Sequence, residues 1–494
     1  MKKISMLGAA ALLLFPLTVQ AADYNPSEFE SKFSNYYASK MFVSDLNFAE
    51  QAGITTIKFP ETEVWDFEFD KEGNVVEKKD IIPSYTMTAV VDGNFGGYPR
   101  YKISADSNDA FRAEVYRRFA LNGLNSEGFS EEIFFVPHFD FISGINIKSD
   151  KVVISELDRQ TGLKDEVASV HSLEFKSDMT PVKDEAIYNI NWKTGNISFK
   201  SPFVSVSVPS VSSEATAVYE IDAQTDYAKL LTDGAAIKKS ASLFSAENIL
   251  ISLFTGSTSN LSIRATAKIN RDDTKGMMNM SGHSDIYGIK IPDIQEFSLQ
   301  QIKFLYKLED VSVAQIRKMQ KIYEKLVDMQ ETLRNHDNQE LNPDEKAIIR
   351  EVGDILDEIS KTAQLKLQFN VKFAGGDVIY ALGLKKKGKY IVGNGKVKIY
   401  NLDKIIPDYA KQCEEEQRIN PSTVPMACMK AGMTGFFDEY IDKSKRTVDN
   451  KGQTVDTINI VFNETGIYVK GEKVSDPIEF DIKEIFSLAL SEQN

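Results

Sequence analysis

The sequence predicts an α+β protein built on long curved antiparallel β-sheet, with amphipathic helices packed on one face. Two observations carry this. Short runs alternating apolar and polar residues with period two, separated by turn residues, fill most of the 494-residue chain. Between two such strands, at 312–361, stands a pair of amphipathic helices, and a helical pair flanked by strands most simply covers one sheet face.

The elements follow in order. Tyr24 to Lys40 reads as a short helix with Phe29, Phe33 and Tyr36 on one side. Thr55–Phe59 and Val64–Phe69 alternate as strands, Asp70–Asn74 is a turn, and Ile81 to Val91 is a further strand. Asp109 to Leu121 reads as helix. Strands return from Phe134 through Val208, with Phe203–Val208 alternating cleanly. Phe244 to Leu253 is mixed and leans to helix. Leu261–Ile269 and Met277–Ile289 form a hairpin.

The helical pair has clear punctuation. Ser312 is placed to cap the first helix, with Gln315 three residues on to complete a capping box. Val313, Ile316, Met319, Tyr323 and Leu326 form its apolar stripe, opposite Arg317, Lys318, Lys321 and Lys325. Asn342 and Pro343 open the second helix, whose stripe is Ile348, Val352, Ile355 and Ile359. Strands follow at Leu365–Val371, Val378–Leu382 and Lys396–Tyr400. Helices are expected at Leu402–Glu416 and Cys428–Lys445, then a terminal hairpin, Thr457–Phe462 with Ile467–Lys470, and a short helix at Ile482–Leu490. The regions are 1–21, a leader; 22–292, β-rich; and 293–494, α+β, with the softest boundary near Pro292.

Lys2 and Lys3, the apolar run Met6–Leu17 and Val19-Gln20-Ala21 form a signal-peptide pattern with cleavage after Ala21. The apolar run is short for a membrane span, and no later stretch is long and apolar enough. The expected location is the periplasm or outside the cell, with an uncleaved inner-membrane anchor as the alternative. The net charge is −14. Such an acidic chain is a poor partner for nucleic acid, and the same balance argues against broad docking on anionic lipid. The only cysteines, Cys413 and Cys428, are expected to pair in an oxidising compartment. Closing that loop contributes about 3 kcal/mol in the chain-entropy picture.

The residues suggest no catalytic, metal or cofactor role. His138 with Asp140, and His283 with Asp285, are two-apart pairs that could each offer two ligands from a strand, short of a metal's requirement. Gly383–Lys389 resembles the start of a phosphate loop, but Tyr390 stands where Ser or Thr is needed, so a lysine-rich hairpin turn is expected. Asp66, Glu68 and Asp70 have EF-hand spacing but Lys71 where glycine is required. No G-x-S-x-G elbow occurs. A carboxylate pair for glycoside hydrolysis needs no local motif.

The order strand, Ser312 helix, Asn342-Pro343 helix, Leu365 strand, Leu402 helix and terminal hairpin resembles the YdgA-like bacterial envelope proteins over roughly 260–490, as does the terminal Asn463 to Gly471 pattern N-x-x-G-I-x-V-x-G. The resemblance implies a cell-envelope setting and supplies no active-site residues. Members usually keep an N-terminal anchor, from which the Ala21 cleavage site departs. The expected role is non-enzymatic envelope binding or maintenance, with an envelope protein or an apolar ligand such as lipid held in an apolar groove. The alternatives are a hydrolase using acidic residues and a surface interaction module without a cavity.

Overall fold

The structure, a computed structural model, describes residues 27–69, 75–119, 124–157, 164–201, 203–253, 258–290, 299–333, 343–373, 375–405, 418, 441 and 443–481. These residues are mostly antiparallel strand, with a few helices. The chain divides into two compact units, Met1–Thr258 and Ser259–Asn494. Pro292, where the composition changes, lies outside the described residues, as do Ala21, Cys413, Cys428 and the expected terminal helix.

In the first unit, helix α1 (Glu28–Met41) has Glu28 and Glu30 in its first turn and Lys40 in its last, which suits the helix dipole. It ends where Phe42 turns left-handed, at φ 54°. Strands β1 (Asn47–Gln51) to β6 (Tyr98–Ala105) follow: β2 (Ile54–Lys58), β3 (Thr62–Phe69), β4 (Val75–Ile82) and β5 (Thr86–Phe95). The expected strand Ile81–Val91 is thus the end of β4 and the start of β5, parted at Pro83. Helix α2 (Asn108–Phe119), β7 (Leu124–Glu127), β8 (Ser130–Val136), β9 (Phe141–Leu157) and β10 (Lys164–Val182) come next. After them stand β11 (Glu185–Thr194), β12 (Ile197–Lys200), β13 (Val204–Val208), β14 (Ser210–Glu220), the short α3 (Tyr227–Leu230) and β15 (Ile237–Leu253).

Strands β1, β2, β5, β6, β8, β9, β10, β11, β14 and β15 pair antiparallel in that order. β3 and β4 form a separate ribbon. Phe29, Phe33 and Tyr37 of α1 and Ala110 and Ala113 of α2 bury against Ile57, Met87, Ile133 and Phe135. A second core gathers Phe95, Phe141, Met179 and Tyr219 with Tyr227 and Leu230 of α3.

The helix expected at Phe244–Leu253 is strand β15. Asn248, at φ 54°, interrupts it. Ala246 before it and Ile249 after it both join one cluster with Val211 and Ile197. The pairing keeps one register across this point, Ser210 with Glu247 and Ser207 with Leu250, so the change of face comes from the left-handed backbone at Asn248, and it gives the run its helix-like spacing.

In the second unit, β16 (Thr258–Asp272), β17 (Met277–Lys290), β18 (Leu299–Ser312), β19 (Gln364–Phe373), β20 (Asp377–Lys387) and β21 (Tyr390–Tyr400) each pair antiparallel with the next. β21 then pairs with β23 (Thr454–Asn463), which pairs with β22 (Thr447–Val448) and β24 (Gly466–Val469), and β24 with β25 (Glu472–Ser475). Helices α4 (Val313–Leu333) and α5 (Pro343–Thr362) form the expected pair, sharing Ile322, Ile348, Ile355 and Val352. Of the expected Leu402 helix, α6 (Leu402–Ile405) is described. Lys443–Lys445, at the end of the second expected helix, is a 3₁₀ turn.

The capping box is not made. Ser312 is the last residue of β18, and Gln315 Oε1 has no hydrogen-bond partner among the described residues. The Val313 N–H instead donates to the Gly276 carbonyl at 3.0 Å, so the preceding hairpin turn takes up a donor that a cap would have served.

Candidate functional site: a two-faced sheet

Alternate residues of a strand point to opposite faces, and the register of the second unit aligns those residues across strands. One row runs Ile286, Ile302, Val371, Val378 and Ile399. The next runs Ser284, Phe304, Phe369, Tyr380 and Val397. Then come Gly282, Tyr306, Leu367, Leu382 and Gly395, and Met280, Leu308, Leu365, Leu384 and Gly393. Five strands thus offer one apolar face. Its rows run from Ile302 to Leu308 of β18, six steps and about 20 Å at the usual strand rise.

The two ends of this face have neighbours. At the first row, Ile399 packs with Leu402 and Ile405 of α6, with Ile441 and with Ile458 of β23. Beyond the last row, Asp357 of α5 pairs with Lys386 of β20, whose side chains are only 11% and 6% exposed. Lys386 is in phase with Leu382 and Leu384. Lys386 donates to the Asp357 carboxylate and holds its pKa below the ordinary value. In the middle, Phe304 and Phe369, directly paired, remain 37% and 39% exposed. Burial raises the pKa of the neighbouring Tyr380 phenol.

The opposite face is basic. β16 contributes Arg264 and Lys268, β18 Lys303 and Lys307, β19 Lys366 and Lys372, β20 Lys385 and Lys387, and β21 Lys396 and Lys398. The acidic residues in the same phase are Asp272, Asp285, Glu309 and Asp377. Asp285 accepts from Gln301 Nε2 at 2.7 and 2.9 Å and lies 3.8 Å from Lys303. Glu309 pairs with Lys366.

The first unit holds a buried charged cluster. On α2, Glu114 takes Arg118 at 3.3 Å and Arg117 at 3.4 Å. Arg117 also donates to the Tyr85 hydroxyl at 2.6 Å and to Thr62 at 2.7 Å. Glu131 of β8 is 3% exposed. Burial, reinforced by Glu114 and opposed by Arg118, pushes its carboxyl up to about 7. Burial also pushes the Tyr36 phenol up to about 12. Glu131 Oε2, Arg118 Nε and Tyr37 Oη have no hydrogen-bond partner among the described residues.

The residues considered from sequence are scattered. His138 sits in the turn Pro137–Phe139, its ring stacked on Tyr98 with centroids 3.6 Å apart, and Asp140 follows at φ 48°. His283 and Asp285 lie on the basic face, far along the chain from the first pair. Among the described residues, no three His, Cys, Asp or Glu side chains gather to hold a metal. Gly383–Lys389 is a hairpin, with Gly388 at φ 61° turning β20 into β21, as expected. Asp66 and Glu68 lie on β3, and Asp70 outside the described residues.

Sequence reading found the strands but not their alignment. The signal was present: lysines at 303, 307, 366 and 372 alternate with apolar residues in phase on neighbouring strands. Glu131 was missed too, though it stands in the inward phase of Ile133 and Phe135.

No protein-family model matches the chain, and no curated protein or solved structure matches it.

Proposed function

We propose that the protein is an exported bacterial envelope protein, related to the YdgA-like proteins, that binds an apolar ligand and carries no catalytic centre. The ligand is a lipid acyl chain lying on the apolar face of the second unit. The supporting observation is the exposed Phe304–Phe369 pair in the middle of rows whose ends pack against other elements. Exposed aromatic surface of this continuity is costly in water unless something covers it. An acyl chain fits because the rows carry almost no hydrogen-bonding groups, the hydroxyls of Ser284, Tyr306 and Tyr380 excepted, and because their length matches an extended chain. In this reading α4 and α5 lie on the apolar side of the sheet and wall one end. The leader is removed after Ala21, which places the mature chain among envelope lipids, and Cys413 pairs with Cys428 there.

The test is native mass spectrometry of protein extracted without detergent, together with displacement of a fluorescent fatty acid. Co-purified lipid is expected, with probe binding weakened at least tenfold by F304E or F369E. A lipid-free protein that binds no probe overturns the reading. N-terminal sequencing is expected to start at Ala22.

The alternative, a hydrolase using acidic residues, draws on the raised carboxyl of Glu131. Glu114 and Glu131 are 5% and 3% exposed, which favours a structural network over a site that admits substrate.

A further inference from the structure

The basic face of the second unit reverses the balance of the chain. Ten cations stand in phase there against four carboxylates, on a protein whose net charge is −14. Lys268, Lys307, Lys366, Lys372, Lys385 and Lys396 are all exposed. Net charge therefore does not describe this face.

We infer that this face docks on an anionic phospholipid bilayer. Neighbouring strands lie about 4.8 Å apart, so from β16 to β21 the lysines spread over roughly 24 Å of pleated surface. A broad array of flexible ammonium groups matches a layer of phosphate headgroups, where point charges suffice. An acidic peptide would instead need paired, directional partners. Attraction confined to this face fixes which side of the second unit approaches the surface. Each lysine close to such a membrane strengthens binding about fivefold. The inference does not depend on what the apolar face holds.

The experiment uses the full mature chain and vesicles of phosphatidylcholine, with or without about 30% phosphatidylglycerol, in a sedimentation assay near physiological salt. Binding is expected only with phosphatidylglycerol, and is released as salt rises toward about 1 M, where screening is short-ranged. K307E/K366E/K396E is expected to lose at least tenfold in affinity. K58E/K193E/K239E, the same charge change on exposed lysines of the first unit, is expected to bind like the parent. The milder K307Q/K366Q/K396Q, with unchanged circular dichroism, guards against misfolding and should also weaken binding. Absence of binding to anionic vesicles overturns the inference. So do equal losses in both sets of variants, or capture by polyglutamate in preference to vesicles.

Discussion

The Tyr306 ring lies across Gly282 on the neighbouring strand: a Cβ built at 282 would stand 2.2 Å from Tyr306 Cε1 and 2.5 Å from Cζ. The ring fills the place of the missing side chain, a known remedy for glycine in a sheet. Gly393 faces a different obstacle, since its Cβ would stand 1.9 Å from the Gly383 carbonyl oxygen.

The two glycines should therefore respond differently. In Gly282→Ala the ring can swing away, and urea unfolding is expected to show a cost of about 1 kcal/mol, largely absent on a Tyr306→Ala background. In Gly393→Ala the backbone itself must shift, and the expected cost is about 3 kcal/mol. Equal costs would mean that neighbouring chain, not the ring, limits position 282.

Removing one partner of Lys386–Asp357 should loosen α5 from β20. Lys386→Met is expected to cost about 1–3 kcal/mol, and K386M/D357L less than that, because no charge is stranded. Asp357 has a depressed folded pKa. Its contribution is thus present above the unfolded carboxylate range and lost as pH falls through the folded value. Chemical denaturation between pH 6 and pH 2 should show this loss in the parent and not in Asp357→Asn.

Glu131 carries the opposite sign. Its folded pKa of about 7 lies above the ordinary carboxyl value of 4.5, so the folded state holds more protons between those pH values. Stability should fall as pH rises from about 4.5 to 7 and level off above that. Glu131→Gln is expected to flatten the slope and to gain on the order of 2–3 kcal/mol at pH 8. A parent whose stability rises over this window would refute it.

Arg446 grips Asp456 through Nε and Nη2, each at 2.9 Å, and also pairs with Asp403 of α6. The Asp456 side chain is 1% exposed. Arg446→Lys keeps the charge but loses the fork, and thermal unfolding should report a cost of about 1–3 kcal/mol.

Local pattern was legible in the sequence where one element determines it. The α4–α5 pair, Pro343 at a helix start, the Gly388 hairpin and the Asn463–Gly466 turn all depend on residues within a few positions. The β15 strand was misread because Asn248 changes phase inside it. The two-faced sheet was out of reach for another reason: register between strands such as β18 and β19 spans the whole helical pair, so Phe304 and Phe369 meet only in three dimensions. Glu131 could have been found from its inward phase, but its neighbours Glu114 and Arg118 come from another element.

The last strand among the described residues, β25, spans four residues, Glu472 to Ser475, all exposed. A sheet that ends in a long apolar strand invites other copies to add on and grow into fibrils. Here the terminal ladder is brief and carries Glu472 and Lys473, with Lys473 held 2.9 Å from Asp476. Charge and brevity at the rim make it a poor template for growth by strand addition.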